Sequence, residues 1–80
     1  MVTRGDELVA WKKLKETFPY NYVTMELEYE QNRLNEEQIN YIVYVDTTSS
    51  YLSDKQPTPM KAVNNIIEIV KEEGRRKCIN

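Results

Sequence analysis

Glu26, Glu28 and Glu30 form a regular row of carboxylates at alternate positions. Paired carboxylates carry general acid–base chemistry only where burial or a neighbouring charge raises one pKa. A period of two puts all three on one side of an extended strand, the solvated side, so they read as a charged surface. Ser49, Ser50 and Ser53 bring hydroxyls close together. A serine nucleophile needs a base, however, and the 80 residues include no histidine. The only glycines are Gly5 and Gly74, so no glycine-rich loop is available to cradle a phosphate. The single cysteine, Cys78, cannot close an internal disulfide, and without histidine it does not anchor a common zinc site. The expectation is a non-enzymatic protein with no catalytic residues, no metal and no cofactor.

Two basic groups could meet nucleic acid: Lys12, Lys13 and Lys15 near the N-terminus, and Arg75, Arg76 and Lys77 near the C-terminus. Charge is unevenly spread. Residues 1–20 carry four basic and three acidic groups, residues 21–54 one and seven, and residues 55–80 six and three. Phosphate binding favours a basic surplus, whereas the net charge here is −2. Lysines on the solvent side of a helix are the simpler reading, and nucleic-acid binding is kept as an alternative. Arg4-Gly5-Asp6 matches a tripeptide found in adhesion ligands, but its place at a helix start marks it as coincidence.

The elements follow from periodicity. A first helix is expected from about Asp6 to Thr17, capped by Thr3 or Asp6, with Pro19 ending it. Leu8, Ala10, Trp11, Leu14 and Phe18 share one arc of it, and Trp11 is the expected core anchor. Val23, Met25, Leu27 and Tyr29 alternate with Thr24, Glu26, Glu28 and Glu30 over the first strand. Gln31 to Gln38 reads as a hairpin loop, with Leu34 tucked against the sheet. The second strand spans about Ile39 to Thr47. Ile39, Tyr41, Val43 and Val45 face the core, and Asn40, Ile42, Tyr44 and Asp46 face outward. Tyr51 and Leu52 form either a short third strand or a loop. Thr58 caps a second helix with Pro59 at its first position, and Gly74 is expected just past its end.

The fold class that results is α+β. Two helices lie on one face of an antiparallel sheet of two or three strands, in the order α-β-β-(β)-α. Residues 1–74 would form the single domain and residues 75–80 a flexible basic tail. No apolar run approaches the roughly 18 residues of a membrane span. The stretch from Met1 to Glu7 turns acidic where a signal peptide would turn apolar, so a cytoplasmic protein is expected. Thr58, Pro59, Met60 and Lys61 open the last helix. The order of helix, strands and helix resembles that of double-stranded-RNA-binding domains. That family places a lysine cluster at this point, where the present chain has one lysine.

The outward sheet face points to a partner. Both helical arcs are expected to be covered by the sheet, while the other face sets Ile42 and Tyr44 beside a row of glutamates. A solvated sheet face is ordinarily polar throughout. Glu26, Glu28, Glu30, Ile42, Tyr44 and Asp46 are therefore the candidate partner-binding residues, suited to a protein with a basic surface. Tyr20, Tyr22, Tyr44 and Tyr51, at element ends or on this face, would add contact area. A small inhibitor or adaptor is the main expectation, and the composition suits an accessory protein of a phage or mobile element. Self-association as a homodimer through the same face is the second alternative.

Overall fold

A computed structural model describes residues 3–31 and 33–78, with side chains as far as Arg75. The order is α1 (Arg4–Thr17), β1 (Tyr22–Gln31), β2 (Glu37–Asp46), β3 (Ser50–Leu52) and α2 (Pro59–Cys78). The strands form one antiparallel sheet in the order β1-β2-β3, with β2 central. The fold is α+β, and the third strand exists.

Local signals account for the ends of the elements. The Thr3 hydroxyl accepts from the Asp6 N–H at 3.2 Å, and the Asp6 carboxylate accepts from the Thr3 N–H at 2.9 Å. This reciprocal cap starts α1 at Arg4, two residues before the expected start, and uses the acidic member of Arg4-Gly5-Asp6. At α2 the Thr58 hydroxyl accepts from the Lys61 N–H at 3.2 Å, ahead of Pro59. The turn between β1 and β2 includes Asn35 at φ 61°, a left-handed conformation that asparagine tolerates. Leu34 does not tuck under the sheet: it is exposed on this turn. Gly74 does not end α2. It has no positive φ, and the helix runs one turn further to Cys78, so Arg75, Arg76 and Lys77 lie on that turn.

The core is a thin layer between the helices and the sheet. Ala10 and Leu14 of α1 meet Ala62, Val63 and Ile66 of α2 above Tyr41, Val43 and Val45 of β2. Trp11 is not its centre. It is half-buried and packs against this cluster from the rim, as do Phe18 and Met25. Tyr51 also packs on the helix side, since it pairs with Val45, and does not belong to the outer face.

Hydrogen bonds tie the layers together. The Tyr41 hydroxyl donates to the Glu7 carboxylate at 2.7 Å, linking β2 to α1. Lys13 donates to the Asn64 side chain at 2.6 Å, and the Asp54 N–H donates to Asn65 at 2.7 Å. Beyond β3, Ser53 extends the ladder with its side chain: its hydroxyl accepts from the Val43 N–H at 2.8 Å while its own N–H donates to the Val43 carbonyl at 2.8 Å. Both groups are buried. Ser53→Ala would leave the Val43 N–H with no acceptor, at an expected cost of about 1–3 kcal/mol in urea unfolding. A loss below about 0.5 kcal/mol, the range of ordinary surface changes, would contradict this role.

Candidate functional site

The register assembles the outer face. β1 and β2 pair Tyr22 with Asp46, Thr24 with Tyr44, Glu26 with Ile42, Glu28 with Asn40 and Glu30 with Gln38. Tyr44 also pairs with Leu52 of β3. Both helices pack on the opposite side, so Glu26, Glu28, Glu30, Ile42, Tyr44 and Asp46 share one face that no helix or strand among the described residues covers. Ile42 and Tyr44 are half-buried, whereas Glu26, Glu30 and Asp46 are exposed.

Tyr22, expected among the tyrosines that add contact area, joins this face, as do Leu52 and Lys55. The Tyr22 ring meets the Tyr44 ring edge-on, with centroids 6.2 Å apart at 70°. Tyr22 is 66% exposed and Leu52 62%, so with Ile42 and Tyr44 they form an apolar and aromatic patch at one end. The Tyr44 hydroxyl is fixed by Ser50 at 2.9 Å, and Ser50 reaches the Asp46 carboxylate at 3.4 Å. Lys55 crosses the other end, with its ammonium 2.9 Å from Glu28 and 3.7 Å from Glu30. The bond to Glu28, reinforced by the charges of Glu28 and Glu30, raises the Lys55 pKa above its ordinary value. Glu30 also accepts from Asn40 at 3.0 Å. Glu26, beside Ile42, forms no ion pair among the described residues. The face thus runs from tyrosines, leucine and Asp46 at one end to Glu28, Glu30 and Lys55 at the other.

The helix side is less complete than the helical arcs implied. Leu8, at the edge of the α1 arc, is 62% exposed. The physical reason is position and length. Glu7 lies near Thr58 and Lys13 bonds to Asn64, so the helices run parallel and α1 leans on α2. The 14 residues of α1 span about 21 Å, whereas the 10 residues of β1 span about 33 Å. The far end of the hairpin therefore outruns its cover, leaving Leu27 44%, Ile39 47% and Tyr29 73% exposed. Between α1 and β1 lies an open cleft of about 430 Å³, walled by Leu8, Trp11, Val23 and Met25.

The basic residues are not gathered in the same way. Lys12 and Lys15 are exposed on α1, and Lys13 is engaged with Asn64. Arg75 lies on the far part of α2, about 16 Å along the helix axis from Asn64. The side chains of Arg76, Lys77 and Cys78 fall outside those described. Among the described residues no three metal-binding side chains converge, and no helix is long and apolar enough to cross a membrane.

The fold and site together define an α+β domain with an open, acidic, tyrosine-bearing sheet face. Comparison of the chain with protein-family models, curated proteins and solved structures finds no match.

Proposed function

We propose that this chain is a non-enzymatic protein-binding module, a small inhibitor or adaptor of the kind that phages and mobile elements encode. It engages a partner protein through the outer sheet face. The observation that carries this reading is the juxtaposition of Tyr22, Ile42, Tyr44 and Leu52 with three glutamates on a face that neither helix covers. Aromatic anchors surrounded by charge are the usual anatomy of a protein interface. A partner with a basic surface complements Glu26, Glu28 and Glu30, and the match favours fast encounter and correct register.

The test is a comparison of partner recovery by the wild type and by a Tyr44→Ser, Glu28→Lys double variant. Circular dichroism first establishes that the variant folds. The expected result is a partner from native lysate held by the wild type and lost by the folded variant. Equal recovery by both proteins, or recovery by neither, would overturn the reading.

A further inference from the structure

The hydrogen-bonding direction of β1 follows from that of β2. The Tyr41 N–H donates to the Gln56 carbonyl at 2.7 Å, and the Gln56 N–H returns to Tyr41 at 3.1 Å. Val43 likewise exchanges its backbone groups with Ser53. The odd-numbered residues of β2 therefore face β3. Antiparallel ladders alternate, so Asn40, Ile42 and Tyr44 face β1 and bond to their partners Glu28, Glu26 and Thr24. The N–H and C=O groups of Val23, Met25, Leu27 and Tyr29 consequently point away from the sheet. β1 is an edge of ten residues, and these groups have no partner among the described residues. Such an edge is a template for another strand.

The two sides of that edge differ in chemistry. Above it, on the helix side, lie the side chains of Val23, Met25, Leu27 and Tyr29. The cleft walled by Leu8 and Trp11 opens there, because α2 flanks α1 on its other side. Below it lie Glu26, Glu28 and Glu30. We propose that the free edge of β1 accepts an extended segment of a partner protein as a fourth strand, and that this segment alternates basic with apolar residues. The inference deepens the reading of the outer face and rests on it for the role of the glutamates.

The pleat enforces the alternation. In a strand added to β1, successive side chains point to opposite faces whichever way the segment runs. Its apolar residues fall beside Leu27 and Tyr29 and over the cleft. Its basic residues fall beside the glutamates, one strand spacing away. Lys55 already reaches Glu28 from the far side of β2, so a closer ammonium has an easier path. A second copy of this chain fits the edge less well. Antiparallel pairing of β1 with itself that keeps the apolar side chains on one face sets glutamates opposite or beside glutamates, which is unfavourable.

The test uses the full chain and a capped peptide of about eight residues that alternates lysine with valine. A control peptide has the same composition with its lysines grouped. The readout is amide hydrogen exchange. The expected result is that exchange at Met25, Leu27 and Tyr29 slows about tenfold with the alternating peptide only, because those N–H groups become bonded. Exchange at Thr24, Glu26 and Glu28, already bonded to β2, changes little. Leu27→Pro removes an edge-facing N–H at a position where an edge strand tolerates proline, and should abolish the effect. Should that variant fail to fold, Glu26→Lys, Glu28→Lys and Glu30→Lys together should transfer binding to a peptide alternating glutamate with valine. Equal slowing by the grouped peptide, or no slowing at low salt, would overturn the proposal. So would slowing that rises with protein concentration alone, since a second copy would then hold the edge. Peptide-induced shifts at Ile42 and Tyr44 with the edge amides unchanged would overturn strand addition while sparing the outer-face reading. The lysate comparison tests that reading separately.

Discussion

Replacing Leu14 with alanine is expected to remove about 3–4 kcal/mol of unfolding free energy, the largest effect of any single truncation in α1. Leu14 is fully buried, at the point where α1, α2 and β2 meet. Its loss forfeits both the transfer of an isobutyl group from water and the contacts around the cavity left behind. Val43 and Val45 of β2 and Val63 and Ile66 of α2 share its buried cluster, and being held in two packed layers they collapse poorly into the gap. A domain of 80 residues is stable by about 4–12 kcal/mol in all, so this one change takes a large share. The midpoint of thermal unfolding should fall by about 12–32 °C. Leu8→Ala provides the contrast. Leu8 lies in the same helical arc but is mostly exposed, and its truncation should stay within about 0.5 kcal/mol. Similar losses at the two positions would mean that α1 is seated differently on the sheet.

That contrast marks how far periodicity carries. The heptad-like spacing of Leu8, Ala10, Trp11, Leu14 and Phe18 identifies a helix and its apolar side. It does not say what each residue touches, because that depends on where the helix sits. α1 leans on α2, so the middle of the arc is buried and the Leu8 edge overhangs the cleft. Trp11 follows the same logic, its size having pointed to the centre and its position placing it on the rim. Strand pattern was more informative. The alternation over residues 23–30 and 39–45 gave both faces correctly, because a period of two leaves only one choice once one face is buried. The same alternation, extended by one residue, sets Tyr22 on the outer face with Glu26 and Tyr44. Lys55 had no comparable signal. It lies in an irregular segment whose path is set by the bridge between Tyr41 and Gln56. The C-terminal boundary shows the opposite failure. Gly74 has the type and position of a helix stop, yet a glycine needs a left-handed turn to act as one, and no glycine in the described chain has a positive φ. The free edge of β1 required strand order and hydrogen-bond direction together, and neither is written in a linear pattern.

Raising the pH above 10 is expected to destabilise the protein through Tyr41 by about 2–3 kcal/mol. Tyr41 as a whole is only 4% exposed, and its hydroxyl donates to the Glu7 carboxylate. Burial, and then the bond and the charge of Glu7, push its pKa up to about 12 from an ordinary value of 10.0. The fold therefore favours the neutral phenol. Below pH 10 that group is neutral in the folded and the unfolded chain alike, so its contribution is complete and constant. Between about pH 10 and 12 the unfolded chain releases the proton first. The folded state then binds more protons than the unfolded state, and stability falls as pH rises until the folded phenol also ionises. The decisive quantity is the difference between wild type and Tyr41→Phe, in which every group the two proteins share cancels. Below pH 10 the wild type should be more stable by about 1 kcal/mol, the worth of an ordinary hydrogen bond. As pH rises through the window the difference should shrink and then change sign, because a phenolate beside a carboxylate is worse than no hydroxyl at all. Glu7→Gln keeps an acceptor oxygen but removes the charge. It should lessen the alkaline loss without abolishing it, since burial is the largest cause of the shift. Chemical denaturation at stepped pH reads all three proteins. Parallel pH profiles for the wild type and Tyr41→Phe would show that the Tyr41–Glu7 bond does not join β2 to α1 in solution.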